Sequence, residues 1–210
     1  MSDKKIIIFS IILSFLLIGG GWYYSARTDN GSSASPGPRA SINISEPGIL
    51  IGDPNAPVLM EEYTSFLCPA CARFALTTLP QIKNDYIKNG KVKMMIYVYP
   101  PYEPGQAALC ALEQNKFAEY HDYLFDHQTQ ITGGDNLKDM AINAGLDSGQ
   151  FNVCYDSDKY ADKVAKWYEE GNSRGVDATP TFFIDGQKLI GAQPYNDFKK
   201  IIDEKLDQAQ

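Results

Sequence analysis

The four cysteines of this 210-residue chain are unevenly placed: Cys68 and Cys71 stand three apart in the run Cys68-Pro69-Ala70-Cys71, whereas Cys110 and Cys154 stand alone. Two thiols at that spacing, opening a helix, can carry out disulfide exchange. A thiolate is the attacking species, and the unpaired N–H groups and dipole of a helix N-terminus favour an anion. Such a setting lowers a thiol pKa from about 8.5 towards 3.5–7.5. Cys68 is therefore the predicted nucleophile. Cys71, one turn on, is placed to close the ring or to resolve a mixed disulfide. Pro69 suits the first helical turn, where its missing N–H loses no bond.

Two blander readings of the pair are half of a zinc site and two ordinary buried thiols. Zinc needs four ligands, and the chain holds neither a second C-x-x-C nor closely spaced histidines. His121 and His127 lie six apart among Tyr120, Tyr123, Leu124 and Phe125, which reads as packing or surface. No metal is expected. Four cysteines allow three pairings; the close spacing favours Cys68 with Cys71 and leaves Cys110 with Cys154 as a candidate second bridge. Such a bridge would close a loop of about 45 residues and contribute roughly 4 kcal/mol in the chain-entropy model. Two buried free thiols are the alternative.

The elements that position the pair are legible from periodicity and turn residues. Val58 to Tyr63 reads as a strand ending just before the cysteines. A helical pattern then runs through Phe74, Leu76, Leu79, Ile82 and Tyr86, with Pro80 expected to kink or interrupt it. Val92 to Tyr99 is a second strand, stopped by Pro100-Pro101. A helical block from about Pro104 to Arg174 follows, punctuated by glycines. Thr181–Ile184 and Lys188–Ile190 form a hairpin about Asp185-Gly186, and Tyr195–Gln208 is an amphipathic closing helix. Strand–helix–strand implies a parallel pair and the hairpin adds antiparallel strands, so the sheet is mixed. An apolar content of 44% and a charged content of 21% are those of a folded domain. A net charge of −7 leaves no basic footprint for nucleic acid.

Tyr63-Thr64-Ser65-Phe66-Leu67-Cys68-Pro69-Ala70-Cys71 resembles the active-site segment of the DsbA-like branch of the thioredoxin superfamily. Ala178-Thr179-Pro180-Thr181-Phe182-Phe183-Ile184-Asp185-Gly186 resembles the segment that carries its cis-proline. Leu109-Cys110-Ala111 and Lys116–His121 are similar to its helical insertion. The likeness covers about residues 50 to 205 and implies an α/β, thioredoxin-like fold with a mixed central sheet and an inserted helical subdomain. It implies Cys68 as the exposed nucleophile and Cys71 as the buried resolving thiol, with Pro180 cis and opposite them. Thr179, with Pro69 and Ala70, would meet an extended substrate chain. Strong oxidases of this family often carry histidine where Ala70 stands, so a milder oxidant is expected. A second bridge between Cys110 and Cys154 is also a feature of part of the family.

Glu62, six residues before Cys68, stands where the superfamily keeps a buried acid. Successive strand residues face opposite sides, so one of Glu61 and Glu62 points inward. An inward carboxylate of raised pKa would relay a proton to or from Cys71; a pair of edge charges is the alternative.

Ahead of the domain, Ile6 to Trp22 is uncharged over 17 residues, preceded by Lys4 and Lys5 and followed by Tyr23 and Tyr24. As a helix it spans roughly 26 Å, and its flanks orient the chain N-inside, C-outside. Residues 1–24 are expected to be a single-pass anchor, with a cleaved signal as the alternative. Residues 25–48, rich in Ser, Gly, Pro and Asn, are expected to be a flexible linker, and 49–210 the domain, with its insertion at about 104–174. Either N-terminal reading puts the cysteines outside the cytoplasm, where disulfides persist. The expected activity is protein disulfide oxidoreduction by a redox-active disulfide without a further cofactor. A dithiol oxidase, recycled by a membrane partner and acting as a monomer on exported or membrane proteins with thiols, is favoured. A membrane-fed reductase or isomerase and a non-catalytic peptide-binding module are the alternatives.

Overall fold

The computed structural model describes residues 47–209. The expected anchor and all but the end of the expected linker lie outside the described residues. Five strands form one sheet: β1 (Ile49–Ile51), β2 (Val58–Thr64), β3 (Val92–Val98), β4 (Thr181–Ile184) and β5 (Gln187–Ile190), in the spatial order β1-β3-β2-β4-β5. β2 and β3 run parallel and the other neighbouring pairs antiparallel. A parallel pair needs a crossover, and the helix opening at Pro69 supplies it. In the hairpin between β4 and β5, Asp185 and Gly186 both take positive φ, as a tight two-residue turn requires. β1 was not among the expected strands. Ile49-Leu50-Ile51 is too short to show alternation, and its pairing partners Met94, Met95 and Ile96 are remote in sequence.

The crossover consists of α1 (Pro69–Arg73), a π turn (Phe74–Thr78), α2 (Leu79–Ile82) and a second π turn (Lys83–Ile87). Pro80 does not interrupt it. The wide turn ahead of it, closed from the Leu79 N–H to the Phe74 carbonyl, gives room to a ring that an unbroken α ladder would crowd. Between β3 and β4 the chain inserts α3 (Tyr102–Glu113), α4 (Phe117–Asp126), a 3-10 turn (Gln128–Gln130), α5 (Asp135–Asn143), α6 (Ser148–Asp156) and α7 (Ala161–Ser173). The closing helix is α8 (Tyr195–Gln208).

Both faces of the sheet are covered, so β2 is buried on both. On one face, Phe182 of β4 packs on Phe74 and on Phe198 of α8, with ring centroids 4.5 and 4.8 Å apart. On the other, Tyr63 stacks on Tyr97 at 4.7 Å, and α7 brings Trp167 against Tyr97. The approach of α7 is close enough that a Cβ on Gly171 would lie 1.9 Å from the Tyr99 hydroxyl oxygen, so only glycine fits there. Just past α7, the Arg174 guanidinium makes two bonds to Glu61, of 2.6 and 2.7 Å, a third to the Tyr63 hydroxyl, and lies over the Phe183 ring. Glu61 is thereby the paired, outward member of the two adjacent glutamates. Cys110 of α3 and Cys154 of α6 are bonded to each other, with Cα atoms 5.7 Å apart. No helix among the described residues is long and apolar enough to cross a membrane.

Candidate active site

The cysteine pair sits where β2 gives way to α1. Cys68 is the N-cap of α1, with extended backbone (φ −90°, ψ 116°), and Pro69 follows in the first turn. The short connection from Thr64 is held by its own backbone and by two distant partners. The Cys68 N–H donates to the Ser65 carbonyl at 3.0 Å, and the Ser65 hydroxyl donates to the Pro100 carbonyl at 3.0 Å. The Gln128 side-chain amide, from the 3-10 turn of the insertion, donates to the carbonyls of Phe66 (2.7 Å) and Cys68 (2.9 Å). Phe66 is buried against Phe125 and the edge of His121, which fixes the loop to α4. His121 is itself buried, and burial pushes its pKa down. It packs among Phe66, Phe117 and Phe125.

Opposite lies the segment ahead of β4. The Thr179–Pro180 bond is cis, as is Pro100–Pro101. The loop is tied by the Thr181 hydroxyl donating to the Ala178 carbonyl (2.7 Å) and by the Gly191 N–H donating to the Pro180 carbonyl (2.8 Å). Cys68 Sγ is half-buried and donates to the Thr179 carbonyl at 3.2 Å. Pro69 is exposed and Ala70 half-buried beside it. An open depression of about 370 Å³ flanks Thr179, lined by Ser65, Tyr99, Tyr168, Asn172 and Asp177. Tyr97 and Tyr99 are otherwise packing residues, each 6% exposed.

The two thiols differ sharply. Partial burial opposes ionisation of Cys68, but the Thr179 side chain and the Cys71 and Ala70 backbone hydrogen-bond to the sulfur. Together they outweigh burial and hold its pKa below that of a free thiol. The carbonyl contact favours the neutral thiol, and these donors favour the thiolate. Cys71 is fully buried; burial pushes its pKa up to about 12, and the nearby Glu62 carboxylate adds to the effect. The Ser65 N–H, 3.5 Å away, points at its sulfur from the backbone. Glu62 is 1% exposed on the same side of β2, flanked across the sheet by Ile96 and Phe182. Burial there pushes its pKa up to about 8. The site therefore sets a thiol whose ionisation is favoured above one whose ionisation is opposed, beside a carboxyl whose pKa is pushed up to about 8.

Folding thus brings Cys68, Cys71, Pro69, Ala70, Glu62, Thr179 and Pro180 into one cluster, while the Cys110–Cys154 bond belongs to the insertion. Among the described residues no group of three or more His, Cys, Asp or Glu could hold a metal. Three contributors were not singled out in the sequence: Thr64, Ser65 and Gln128. Thr64 shares the strand face of Glu62 and was open to the alternation argument. Gln128 gave no local signal, since its contact spans 60 positions.

The family model described as thioredoxin matches residues 45–204. The chain is 26% identical over 220 residues to a protein of Bacillus anthracis named probable disulfide bond formation protein D, with 98% of each chain covered. It is 25% identical over 194 residues to the disulfide bond formation protein D of Bacillus subtilis (strain 168), covering 86% of this chain and 85% of that one. Among solved structures, alpha-DsbA1 of Wolbachia pipientis superposes with a TM-score of 0.68 at 27% identity, over 76% of this chain and 91% of that one. Oxidised BdbD from Bacillus subtilis shares the fold, with a TM-score of 0.67 at 22% identity over 80% and 97% of the two chains.

Proposed function

Because this chain belongs to the thioredoxin family and is a DsbA-like thiol–disulfide oxidoreductase, we propose that it works as a dithiol oxidase outside the cytoplasm. In this reading it donates a Cys68–Cys71 disulfide to exported or membrane proteins that carry thiols. A substrate thiolate attacks Cys68 Sγ; the S–S electron pair leaves on Cys71, which takes up a proton, and a mixed disulfide forms at Cys68. A second substrate thiolate then attacks the substrate sulfur of that bond and expels Cys68 as a thiolate. The reduced enzyme is reoxidised by a membrane partner, with residues 6–22 as the tether.

The carrying observation is the set of hydrogen bonds that favours ionisation of Cys68 over that of a free thiol. A stabilised thiolate is a good leaving group, and it lowers the free energy of the reduced enzyme, which makes the disulfide oxidising. Thr179, Pro69 and Ala70 border the thiolate where an extended substrate chain would lie, with the carbonyl ahead of the cis bond at 3.2 Å from the sulfur. Glu62, with its raised pKa, is suited to give Cys71 its proton. The apolar run at 6–22 and the full-length alignment with a protein named for disulfide bond formation support the compartment and the tether. Monomeric action is the simplest state for this cycle.

A second reading, a membrane-fed reductase or isomerase, is favoured by Ala70. No imidazole stands between the cysteines to stabilise the thiolate further. The reduction potential of the Cys68–Cys71 pair, measured by equilibration with glutathione, separates the two. A value near −120 to −180 mV is expected for the oxidase; one near −270 mV or below makes the chain a reductase.

A further inference from the structure

On β2, residues two apart share a face. Glu62 and Thr64 both point under α1 and are 1% and 0% exposed. Cys71 Sγ lies against the same strand end, 3.5 Å from the backbone N–H of Ser65, the residue after Thr64. Neither Glu62 oxygen has a hydrogen-bond partner among the described residues, and neither does Thr64 Oγ1. Three such atoms together are unusual, because an unsatisfied buried polar group costs about 1–3 kcal/mol. The surroundings do not relieve them: Ile96 and Phe182 flank Glu62 across the sheet, Val98 stands beside Thr64 on β3, and Phe74 lies one turn beyond Cys71.

The Thr64 hydroxyl acts on both groups, favouring the charged form of the Glu62 carboxyl and of the Cys71 thiol. The other charged group acting on Glu62 is Lys83, which pairs with Asp122 at 3.7 Å. The other groups acting on Cys71 are Cys68 and the Ser65 N–H, neither of which connects it to the carboxyl. A hydroxyl can donate one proton while accepting another at a single atom.

We propose that Thr64 is the relay through which a proton passes between Cys71 and Glu62. This rests on the reading of Cys68 as nucleophile and Cys71 as resolving thiol, but not on the direction of the reaction in the cell. When reduced enzyme is oxidised, Cys71 S–H gives its proton to Thr64 Oγ1 as the Thr64 O–H proton moves to the Glu62 carboxylate. The Cys71 electron pair attacks Cys68 Sγ, and the outgoing thiolate takes the pair of the broken S–S bond. In the opposite direction the same two protons move back, and Cys71 leaves as a neutral thiol. The hydroxyl ends each pass unchanged. Thr64 is thus a positioning residue that acts through its two neighbours.

The test is a single-turnover oxidation of the reduced full-length chain by oxidised glutathione. The first phase forms the Cys68–glutathione mixed disulfide and depends on oxidant concentration. The second, in which Cys71 expels glutathione, does not. Thr64→Val keeps the shape and removes the hydroxyl; it should leave the first phase unchanged and slow the second by roughly a hundredfold at neutral pH. Thr64→Ser should restore it. Glu62→Gln should slow the second phase as much, and the double variant no more than either alone. A second phase in Thr64→Val at the wild-type rate would overturn the relay. So would Thr64→Ser as slow as Thr64→Val, which would mean that the methyl packing matters and the hydroxyl does not. If Thr64→Val fails to fold, the wild-type second phase in mixtures of light and heavy water decides. Two protons in flight give a curved dependence on deuterium fraction, and a straight line excludes the relay. Absence of the first phase in the wild-type chain would instead remove the oxidoreductase reading beneath it.

Discussion

At the scale of single residues, the site works by separating the pKa values of groups that are alike in isolation. Cys68 and Cys71 are the same side chain three positions apart. For one, hydrogen-bond donors at a helix start outweigh burial; for the other, burial, with a carboxyl adding to it, outweighs the Thr64 hydroxyl and the Ser65 N–H. Glu61 and Glu62 are adjacent, yet Glu61 is held by Arg174 while Glu62 is closed in apolar surroundings. The raised pKa of Glu62 has a consequence for stability. In the unfolded chain Glu62 ionises near the ordinary carboxylate value of 4.5; in the folded protein it does so only near 8. Between those limits the folded state keeps a proton that the unfolded state has lost, so its stability falls as pH rises, by about 1.4 kcal/mol per pH unit. Glu62→Gln removes this dependence. Denaturant unfolding at pH 5 and at pH 8 should show the variant gaining on the wild type by a few kcal/mol. A constant difference would show that Glu62 does not hold its proton on folding.

At the scale of elements, the insertion does more than cover the sheet. Its 3-10 turn supplies Gln128, whose amide spans the carbonyls of Phe66 and Cys68 and so ties the catalytic loop to a part of the chain 60 positions away. Gln128→Ala leaves those carbonyls to be satisfied otherwise and frees the N-cap of α1. The expected result is a loss of roughly 1–3 kcal/mol. The pH midpoint of Cys68 ionisation, followed by the ultraviolet absorbance of the thiolate, should also rise. A stability loss with an unmoved midpoint would show that α1 alone positions the thiol. The crossover helix teaches a related lesson. Pro80, which in a regular α-helix costs ~3 kcal/mol or more, is carried through by the π turn ahead of it. The strand that escaped detection, β1, is held to the sheet by β3 alone, and its three buried apolar residues carry no local signature.

For the molecule as a whole, the redox pair and the structural pair of cysteines are separate devices. The bond between Cys110 and Cys154 joins α3 to α6 across 44 positions, and a loop of that size is worth about 4 kcal/mol in the chain-entropy model. Replacing both with serine should lower unfolding stability by about that amount in urea. The oxidation kinetics and potential of Cys68–Cys71 should be unchanged. A shifted potential would mean that the bridge also supports the active-site face of the insertion.

Local chemistry determined a good deal by itself. A C-x-x-C run between a strand and a helix names the nucleophile, because backbone direction alone puts the first thiol at the helix start. Alternation in β2 requires one of the adjacent glutamates to turn inward, and periodicity with turn residues is enough for the mixed sheet and the inserted helices. What only the tertiary structure decided are relations between residues far apart in the chain. Which glutamate is inward depends on Arg174 arriving beside Glu61. The cis bond at Pro180 and its place against Cys68 depend on β4 pairing with β2. The clamp from Gln128 and the meeting of Thr64, Glu62 and Cys71 depend on helices folding back over the sheet. A periodicity reports which way a side chain points; only the packed fold decides what it points at.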